Sequence, residues 1–487
     1  MQDSTNPHAD ISLRALIREH RRSFLVTTAA AIALRLFLIL RFPVLTPDTF
    51  VYGDLAKNWL LHGVYGLSGT GGPSLTLIRL PGYPAFLAGL FAVFGMEHYN
   101  AVRFVQMFIE LGTCLAVADT ARRTVSGRAA RLAFLLTALC LPVANYVAVP
   151  LTETLAVFLA ALGLDFGISA LQAMEGGRAA LRTWICCGLA VGLGILVRPD
   201  GGMILMVIGG YLIVRLFTRP AQRGQTVAAG TVLGLVSLGM LLPWTIRNWR
   251  AFHVFQPLAP FSATDPGEFF PAGFVRWQQT WVADYASVED IGFRVDGEPI
   301  QLSDLPNRAL DNDDERRRTA GLFNEYNQNL TVTPAIDAGF AELARERIRR
   351  APLRYYVWLP ALRIADMWLR PRTELLPVDS HWWRFADDPH DSLIALALAA
   401  VNGFFLVVAL LAWRRRRLIA YGGLLLAFIL VRTLLLSALP NPEPRYVLEC
   451  YPALLVLAAA GLEGWDKARS TATTQTAAAV KEEFSKG

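Results

Sequence analysis

Long apolar runs recur along this chain and constrain its fold more than any other feature. About ten of them approach or reach the roughly 20 residues that a helix needs to cross a bilayer; they are 24–42, 99–121, 129–148, 153–172, 184–199, 201–217, 226–245, 391–413, 418–437 and 446–464. Only 18% of the residues are charged, against about 25% in soluble domains. We therefore predict an all-α polytopic membrane protein with about ten transmembrane helices, which excludes a soluble enzyme, a disordered chain and a secreted disulfide scaffold.

The charges of the loops predict the orientation of these helices, because Lys and Arg concentrate in cytoplasmic loops. With the N-terminus in the cytoplasm, the inner segments hold 21 Lys or Arg residues, among them Arg414 to Arg417, and the short outer loops hold 4. The first apolar run has no clear cleavage site and is predicted to be an uncleaved span. Both termini are therefore predicted to lie in the cytoplasm, with the outer loops on the extracytoplasmic side.

Composition divides the chain into four predicted parts. They are an N-terminal transmembrane module (1–245), a small irregular extracytoplasmic domain (246–390), the C-terminal transmembrane helices (391–464) and a disordered cytoplasmic tail (465–487). Two further segments are predicted to lie at the membrane interface. The segment 81–95 is too short to cross and lies at the interface or re-enters, and 342–370 forms a Trp- and Tyr-rich interfacial helix with snorkelling charges.

The unusual polar residues gather on the predicted outer face. Each follows or precedes an apolar run, and together they are Asp48, Tyr52, Asp54, Arg79, Glu153, Arg198, Arg247, Asn248 and Arg445. A carboxylate there can accept a proton from a nucleophile, and arginines can bind a phosphate through charge-assisted bonds. Apolar walls nearby would hold a lipid tail. The alternative is that each charge only marks the end of a helix.

Other polar residues fall inside the predicted spans. Arg103, Gln106 and Glu110 share one helix face, and intramembrane charges are functional candidates by default. A structural ion pair between helices is the preferred interpretation for them, and also for Arg35 and Asp165. The histidines and cysteines show no metal-ligand or redox spacing, so neither a metal site nor a disulfide is predicted. The net charge of +6 reflects loop orientation, and no nucleic-acid partner is expected.

Several short motifs on the outer face occur in an order typical of one enzyme family. They are Asp48-x-x-x-Tyr52, RLPGYP (79–84), VRFVQ (102–106), TETL (152–155), LVRP (196–199), PWTIRN (243–248) and PRYVL (444–448). In this order the chain resembles the GT-C membrane glycosyltransferases. The most similar branch is the family 39-like group, which includes bacterial lipid A and core sugar transferases and protein O-mannosyltransferases.

The resemblance implies a reaction and roles for the residues. Such enzymes move a sugar, with inversion, from a polyprenyl-phosphate carrier to an extracytoplasmic acceptor. Asp48 would be the base, Glu153 the second acidic position, and Arg79 the contact of the carrier phosphate. Substrate-binding roles are expected for the residues Tyr52, Asp54, Arg79, Tyr83, Arg198, Arg247, Asn248 and Arg445.

The sequence departs from the family pattern at one informative position. Thr49 stands where many relatives carry a second acidic residue. No cofactor is expected, because the lipid-phosphate sugar is a substrate and arginines can neutralise a monophosphate leaving group; a divalent metal stays an open alternative.

Two other functional classes also stay open. A lipid or sugar-lipid transporter would place its important polar residues at the bilayer midplane and would be expected to contain inverted repeats, which the sequence does not show. A noncatalytic membrane partner protein would not need clustered Asp, Glu and Arg on one face.

Overall fold

The computed structural model describes residues 12–412 and 419–464. Arg414 to Arg417 and the predicted tail at 465–487 lie outside the described residues. The described chain is built of α-helices with one short β-hairpin, β1 (Gly66–Gly69) and β2 (Gly72–Leu75), paired antiparallel. The predicted all-α membrane fold is therefore confirmed.

The N-terminal half of the chain contributes twelve helices. They are α1 (Leu13–Glu19), α2 (Arg21–Arg41), α3 (Pro47–His62), α4 (Gly82–Phe94), α5 (Tyr99–Thr124), α6 (Gly127–Ala138), α7 (Leu141–Ala144), α8 (Glu153–Glu175), α9 (Leu181–Val197), α10 (Met203–Thr218), α11 (Arg223–Gly239) and α12 (Leu242–Phe252).

The remaining helices follow in the C-terminal half. They are α13 (Ala272–Gln279), α14 (Tyr285–Ser287), α15 (Asp313–Asn329), α16 (Pro334–Arg350), α17 (Leu359–Leu369), α18 (Pro389–Leu411), α19 (Gly422–Leu436) and α20 (Pro444–Gly464), the last of which begins with a 3₁₀ turn.

Within the described residues, six helices are long and apolar enough to cross a membrane, and eight if two bent pairs each count as one span. The pair α6 and α7 bends by 50°, and the pair α11 and α12 by 40°. Pro142 and Pro243 lie in the first turn after these breaks, where proline lacks the N–H that would continue a helix. The other two predicted spans form the shorter apolar helices α9 and α19, of 17 and 15 residues.

The short helix α4 packs where the sequence predicted an interfacial or re-entrant segment. Its first residue is Gly82, and a Cβ there would lie 2.6 Å from the backbone carbonyl of Leu196. Only glycine therefore allows α4 to approach the end of α9, and this approach brings the RLPGYP segment next to Arg198.

An ion pair fastens α2 to α5 inside the helix bundle. Arg35 and Glu110 are both fully buried and bonded side chain to side chain, as the structural interpretation predicted. Arg103 does not join them. Its Nε donates to the carbonyl of Ala148 at 2.8 Å and its Nη2 to that of Val44 at 3.0 Å.

The segment 246–390, named here the loop domain, differs from the irregular structure predicted for it. Helices α13, α15 and α16 pack around a core that contains Trp277, Trp281 and Phe340. Asn312 caps α15 and Thr333 caps α16 by accepting backbone N–H groups, which is the usual role of these side chains at helix starts.

The predicted single helix at 342–370 is also wrong. The helix is interrupted at Ala351, between α16 and the helical turns that lead into α17. The physical reason is Pro352, because a residue that precedes proline is disfavoured in the α region.

Candidate active site

A cavity of about 990 Å³ opens where several spans end at the same face of the bundle. The first turn of α3, the end of α9 and the start of α20 bound it on one side, and the loop domain covers the other. Its charged and phenolic lining residues are Asp48, Tyr52, Arg79, Arg198, Asp200, Asp296, Glu443, Arg445 and Tyr446. Apolar residues complete the wall, among them Phe261, Phe269, Phe270, Leu435 and Leu439.

Local sequence fixes the position of Asp48. Thr46 caps α3 by accepting the N–H of Thr49, and the Thr49 hydroxyl accepts the N–H of Thr46 in return. Pro47 fits the first helical turn, where its missing N–H costs nothing. Asp48 thus lies at a helix N-terminus, which favours a negative charge. Thr49 is buried, and its side chain takes part in the cap. Threonine at this position, where many relatives of the family carry an acidic residue, therefore has a structural role.

Two arginines hold the Asp48 carboxylate. Arg79 Nη2 donates to Oδ1 at 3.1 Å, and Arg445 donates to Oδ2 from both terminal nitrogens at 3.3 Å. Burial by itself raises the pKa of Asp48, but the charges of Arg445 and Arg79 outweigh it and leave that pKa below its usual range. Asp48 is therefore ionised at neutral pH and bonded to both cations.

Glu153 lies behind this pair, at the first residue of α8. It is buried, and its Oε1 accepts a bond from Arg198 Nη1 at 2.9 Å. Arg445 Nη1 lies 3.6 Å from the same oxygen. Arg445 therefore bridges the two predicted catalytic carboxylates, and Glu153 itself does not line the cavity.

Sequence reasoning missed four further charges in this network. Arg198 Nε lies 3.2 Å from Asp200 and 3.3 Å from Glu449, and the fully buried Arg432 pairs with the same two carboxylates. Glu443 lies 2.6 Å from Arg445 Nε. Arg432 and Glu449 fall inside predicted spans, so the rule that intramembrane charges are functional candidates could have found them.

The 3₁₀ turn Pro199–Gly202 brings Asp200 into this network. A Cβ on Gly201 would lie 2.6 Å from the backbone of Gly194. The turn can therefore fold back onto α9 only with glycine at this position.

Two tyrosines extend the site away from the charges. Tyr52 lines the cavity one turn after Asp48, and the Arg79 guanidinium lies 5.9 Å from its ring centre. Burial raises the pKa of Tyr52 to about 12, so it stays protonated and can only bind or orient a ligand. Tyr83 is fully buried beside it and donates to Gln106 Oε1 at 2.8 Å, so it supports the site without lining the cavity.

Besides Tyr83, three predicted substrate-binding residues lie outside the cavity wall. Asp54 accepts bonds from the N–H and hydroxyl of Ser68, at 2.6 and 2.7 Å, and so fixes the β-hairpin to α3. Arg247 donates to the carbonyls of Thr76 and Tyr65. Asn248 is buried and donates to the carbonyl of Gln256 at 2.8 Å.

Arginines pair with five of the carboxylates in and behind the cavity wall. Within the described residues, each of the carboxylates Asp48, Glu153, Asp200, Glu443 and Glu449 has a guanidinium nitrogen within 4 Å. A cation would have to displace these arginines. An anion could instead compete with the carboxylates for them.

Comparison with known proteins confirms the resemblance that the motifs indicated. Residues 79–246 match the family model of dolichyl-phosphate-mannose-protein mannosyltransferases, a GT-C family. This range includes Arg79, Glu153 and Arg198 and omits Asp48 and Arg445. No curated protein sequence matches the chain.

Solved structures of one archaeal enzyme show the same fold at low sequence identity. The archaeal oligosaccharyltransferase AglB from Archaeoglobus fulgidus, in complex with an inhibitory peptide and a dolichol-phosphate, is 14% identical with a TM-score of 0.53; the match covers 95% of this chain and 52% of that one. The same oligosaccharyltransferase, tethered to an acceptor peptide, is 14% identical with a TM-score of 0.52; the match covers 92% of this chain and 50% of that one. ArnT from Cupriavidus metallidurans, bound to undecaprenyl phosphate, is 16% identical with a TM-score of 0.39; the match covers 90% of this chain and 77% of that one.

The chain therefore has a GT-C-type membrane fold. It spans about half the length of the archaeal structures that it matches.

Proposed function

We propose that this chain, whose fold and motifs resemble those of GT-C enzymes, is a membrane glycosyltransferase. It takes a sugar from a polyprenyl-phosphate carrier and transfers it to an acceptor on the periplasmic side of a bacterial inner membrane. The observation that carries the proposal is Asp48 held between Arg79 and Arg445 in a cavity at the ends of the spans. This arrangement combines a base, a phosphate site and access from the bilayer.

The donor is a lipid phosphate because of where the arginines lie. Arg79 and Arg445 line a cavity at the ends of the spans together with apolar residues such as Leu435 and Leu439. A polyprenyl tail can reach this position through the bilayer, whereas nucleotide sugars are scarce outside the cytoplasm. The archaeal AglB structure, which shares the fold, holds a dolichol-phosphate, a lipid phosphate of the proposed class.

Donor binding also prepares the base. A phosphate that enters the cavity competes with Asp48 for the guanidinium groups, since both are oxyanions that form charge-assisted bonds with arginine. Once Arg79 and Arg445 turn to the phosphate, the Asp48 carboxylate loses two cations and its proton affinity rises. The base therefore becomes stronger when a donor is in place.

The transfer itself is a single displacement. The acceptor oxygen attacks the anomeric carbon of the sugar while the bond from that carbon to the phosphate oxygen breaks. The acceptor proton passes to Asp48, and the lipid phosphate leaves with one further negative charge, which Arg79 and Arg445 neutralise. Attack from the side opposite the leaving group inverts the anomeric configuration. Glu153 acts through Arg445 and Arg198, whose side chains it orients.

A donor-choice assay tests the proposal. Purified protein in lipid nanodiscs receives either a radiolabelled polyprenyl-phosphate sugar or the matching nucleotide sugar, together with an envelope extract that contains glycolipids, polysaccharides and proteins. We expect transfer from the lipid donor alone, unchanged by EDTA. Transfer only from the nucleotide sugar would overturn the proposal, and a strict requirement for added metal would overturn the role given to the arginines.

A second arm separates the enzyme from a sugar-lipid transporter. The lipid donor is incorporated into proteoliposomes. We then measure on which side of the bilayer the sugar lies and whether it is still linked to the lipid phosphate. Movement across the bilayer with the original phosphate linkage intact, and with no transferred product, would identify a transporter.

A further inference from the structure

Two carboxamide side chains meet in the part of the cavity that the loop domain forms. Gln278 on α13 and Asn441, in the segment that leads to α20, both line the cavity. They converge beside Gly292: a Cβ on that glycine would lie 3.7 Å from Gln278 Nε2 and 3.9 Å from Asn441 Oδ1. Within the described chain neither side chain has a hydrogen-bond partner, although Gln278 is only 5% exposed. Both carboxamides face the cavity, so their hydrogen-bond partners there come from solvent or from a ligand.

The protein fixes the backbone segments that carry these two groups. Trp277 and Trp281 anchor α13 in the core of the loop domain. The buried guanidinium of Arg363 donates to the carbonyls of Gln279 and Val282 at 2.6 and 2.9 Å, and to that of Ser437 at 3.3 Å. Arg363 therefore joins the end of α13 to the segment that carries Asn441. A preorganised pair of this kind can bind a ligand at a smaller entropic cost.

The chemistry of the pair matches hydroxyl groups. A carboxamide offers both donors and acceptors and carries no charge, as a sugar hydroxyl also both donates and accepts. Phe269 and Phe293 also line the cavity and are exposed, so they offer apolar faces to the C–H groups of a pyranose ring.

Asp296 adds an acceptor to this region. It lines the cavity with φ +61°, a left-handed conformation that Asp adopts more readily than most residues other than glycine. Its Oδ1 accepts the N–H of Val332 at 3.1 Å, which holds the side chain in place.

We infer that Gln278 and Asn441 form the acceptor subsite, and that the acceptor is a saccharide. The inference rests on the proposed function and names its acceptor class. Asn441 and Arg445 lie four residues apart in one segment of the cavity wall. A sugar bound to the carboxamides therefore shares the cavity with the Asp48 pair, toward which its attacking hydroxyl must extend. A peptide acceptor is the competing class.

Binding without turnover tests the subsite. Purified protein in nanodiscs is titrated with a panel of methyl hexopyranosides and short oligosaccharides, and separately with a Ser/Thr-rich peptide, by saturation-transfer NMR. The variants are Gln278→Ala, Asn441→Ala, the double variant, and Gln328→Ala as matched control. Gln328 is an exposed carboxamide on α15 of the same domain.

We expect at least one saccharide to bind, with a dissociation constant that rises about tenfold in the double variant and stays unchanged in Gln328→Ala. Two lost neutral hydrogen bonds give an effect of this order. Absence of saccharide binding by the wild-type protein, equal binding by the double variant, or binding of the peptide alone would each overturn the inference.

An Asp48→Asn protein separates this result from the proposed function. It should bind the saccharide like the wild type. Normal transfer by Asp48→Asn, with saccharide binding still dependent on Gln278 and Asn441, would refute the catalytic assignment and leave the subsite standing.

Discussion

Arg445 bonds the carboxylate of Asp48 across 397 positions of sequence, at 3.3 Å from both of its terminal nitrogens. The two residues belong to the first helix after α2 and to the last span. The candidate site is thus complete only when the two ends of the membrane domain have packed together, and the loop domain between them covers the cavity formed there.

Replacing Arg79 should weaken use of the donor. Hydrogen bonds to charged groups contribute about 1.5–3 kcal/mol each, so Arg79→Ala should reduce kcat/KM for the lipid donor by roughly ten- to a hundredfold. Arg79→Lys should recover only part of this if the contact is bidentate. Steady-state kinetics with a radiolabelled lipid-phosphate sugar measures both. Full activity in the alanine variant would remove Arg79 from the phosphate site.

The pH dependence of kcat/KM should depend on the arginines around Asp48. The pKa of Asp48 lies below the usual range because the charges of Arg445 and Arg79 outweigh burial. We therefore expect kcat/KM to fall only as the pH drops through this depressed pKa. In Arg79→Gln the burial remains and one cation is lost, so the pKa rises and the acidic limb should move to higher pH. The limb position is read from kcat/KM profiles of the two proteins. A limb that is unchanged, or that moves to lower pH, would contradict the assignment of Asp48 as base.

Arg432 should be important for stability. It is fully buried between Asp200 and Glu449, and removal of one member of a buried ion pair costs about 3–5 kcal/mol. Arg432→Met should lower the melting temperature in detergent, and addition of Asp200→Asn and Glu449→Gln should restore part of it. The control is Arg317→Met, whose ion pair with Asp314 is exposed and should contribute about 0–1 kcal/mol. Equal melting temperatures for Arg432→Met and the control would contradict this role.

Single cysteines should establish the orientation of the chain. In a background without the native cysteines, Thr70→Cys in the hairpin turn and Ser303→Cys in the loop domain should react with an impermeant thiol reagent in spheroplasts. Ala221→Cys, between α10 and α11, should react only after lysis. All three positions are exposed. The reverse pattern would place the cavity in the cytoplasm and overturn the choice of a lipid donor.

Hydrophobicity made the spans predictable, because a stretch of apolar residues has few alternatives to crossing a bilayer. The same pattern placed Asp48, Glu153, Arg198 and Arg445 at span ends, and these four residues do meet. The rotation of each helix was not predictable, since it depends on packing between distant segments. Arg247 and Asn248 therefore point to the hairpin and to the following loop instead of the cavity.

The missed residues share a physical cause. Arg432 and Glu449 interrupt apolar spans, yet their partners are recognisable only once α10, α19 and α20 are packed. Gln278 and Asn441 are neutral and belong to no recognisable sequence motif. They become candidates only because the structure shows that they line the cavity.

Asp48→Asn provides the most direct test of the account. The substitution keeps the size of the side chain and removes the base, whose usual contribution is roughly 10²–10⁴ in rate. Turnover of the lipid-phosphate sugar and equilibrium binding of the lipid phosphate are measured on the same purified preparation, with wild-type protein alongside. The account predicts a loss of turnover in that range with binding retained. Near-normal turnover in Asp48→Asn would contradict it.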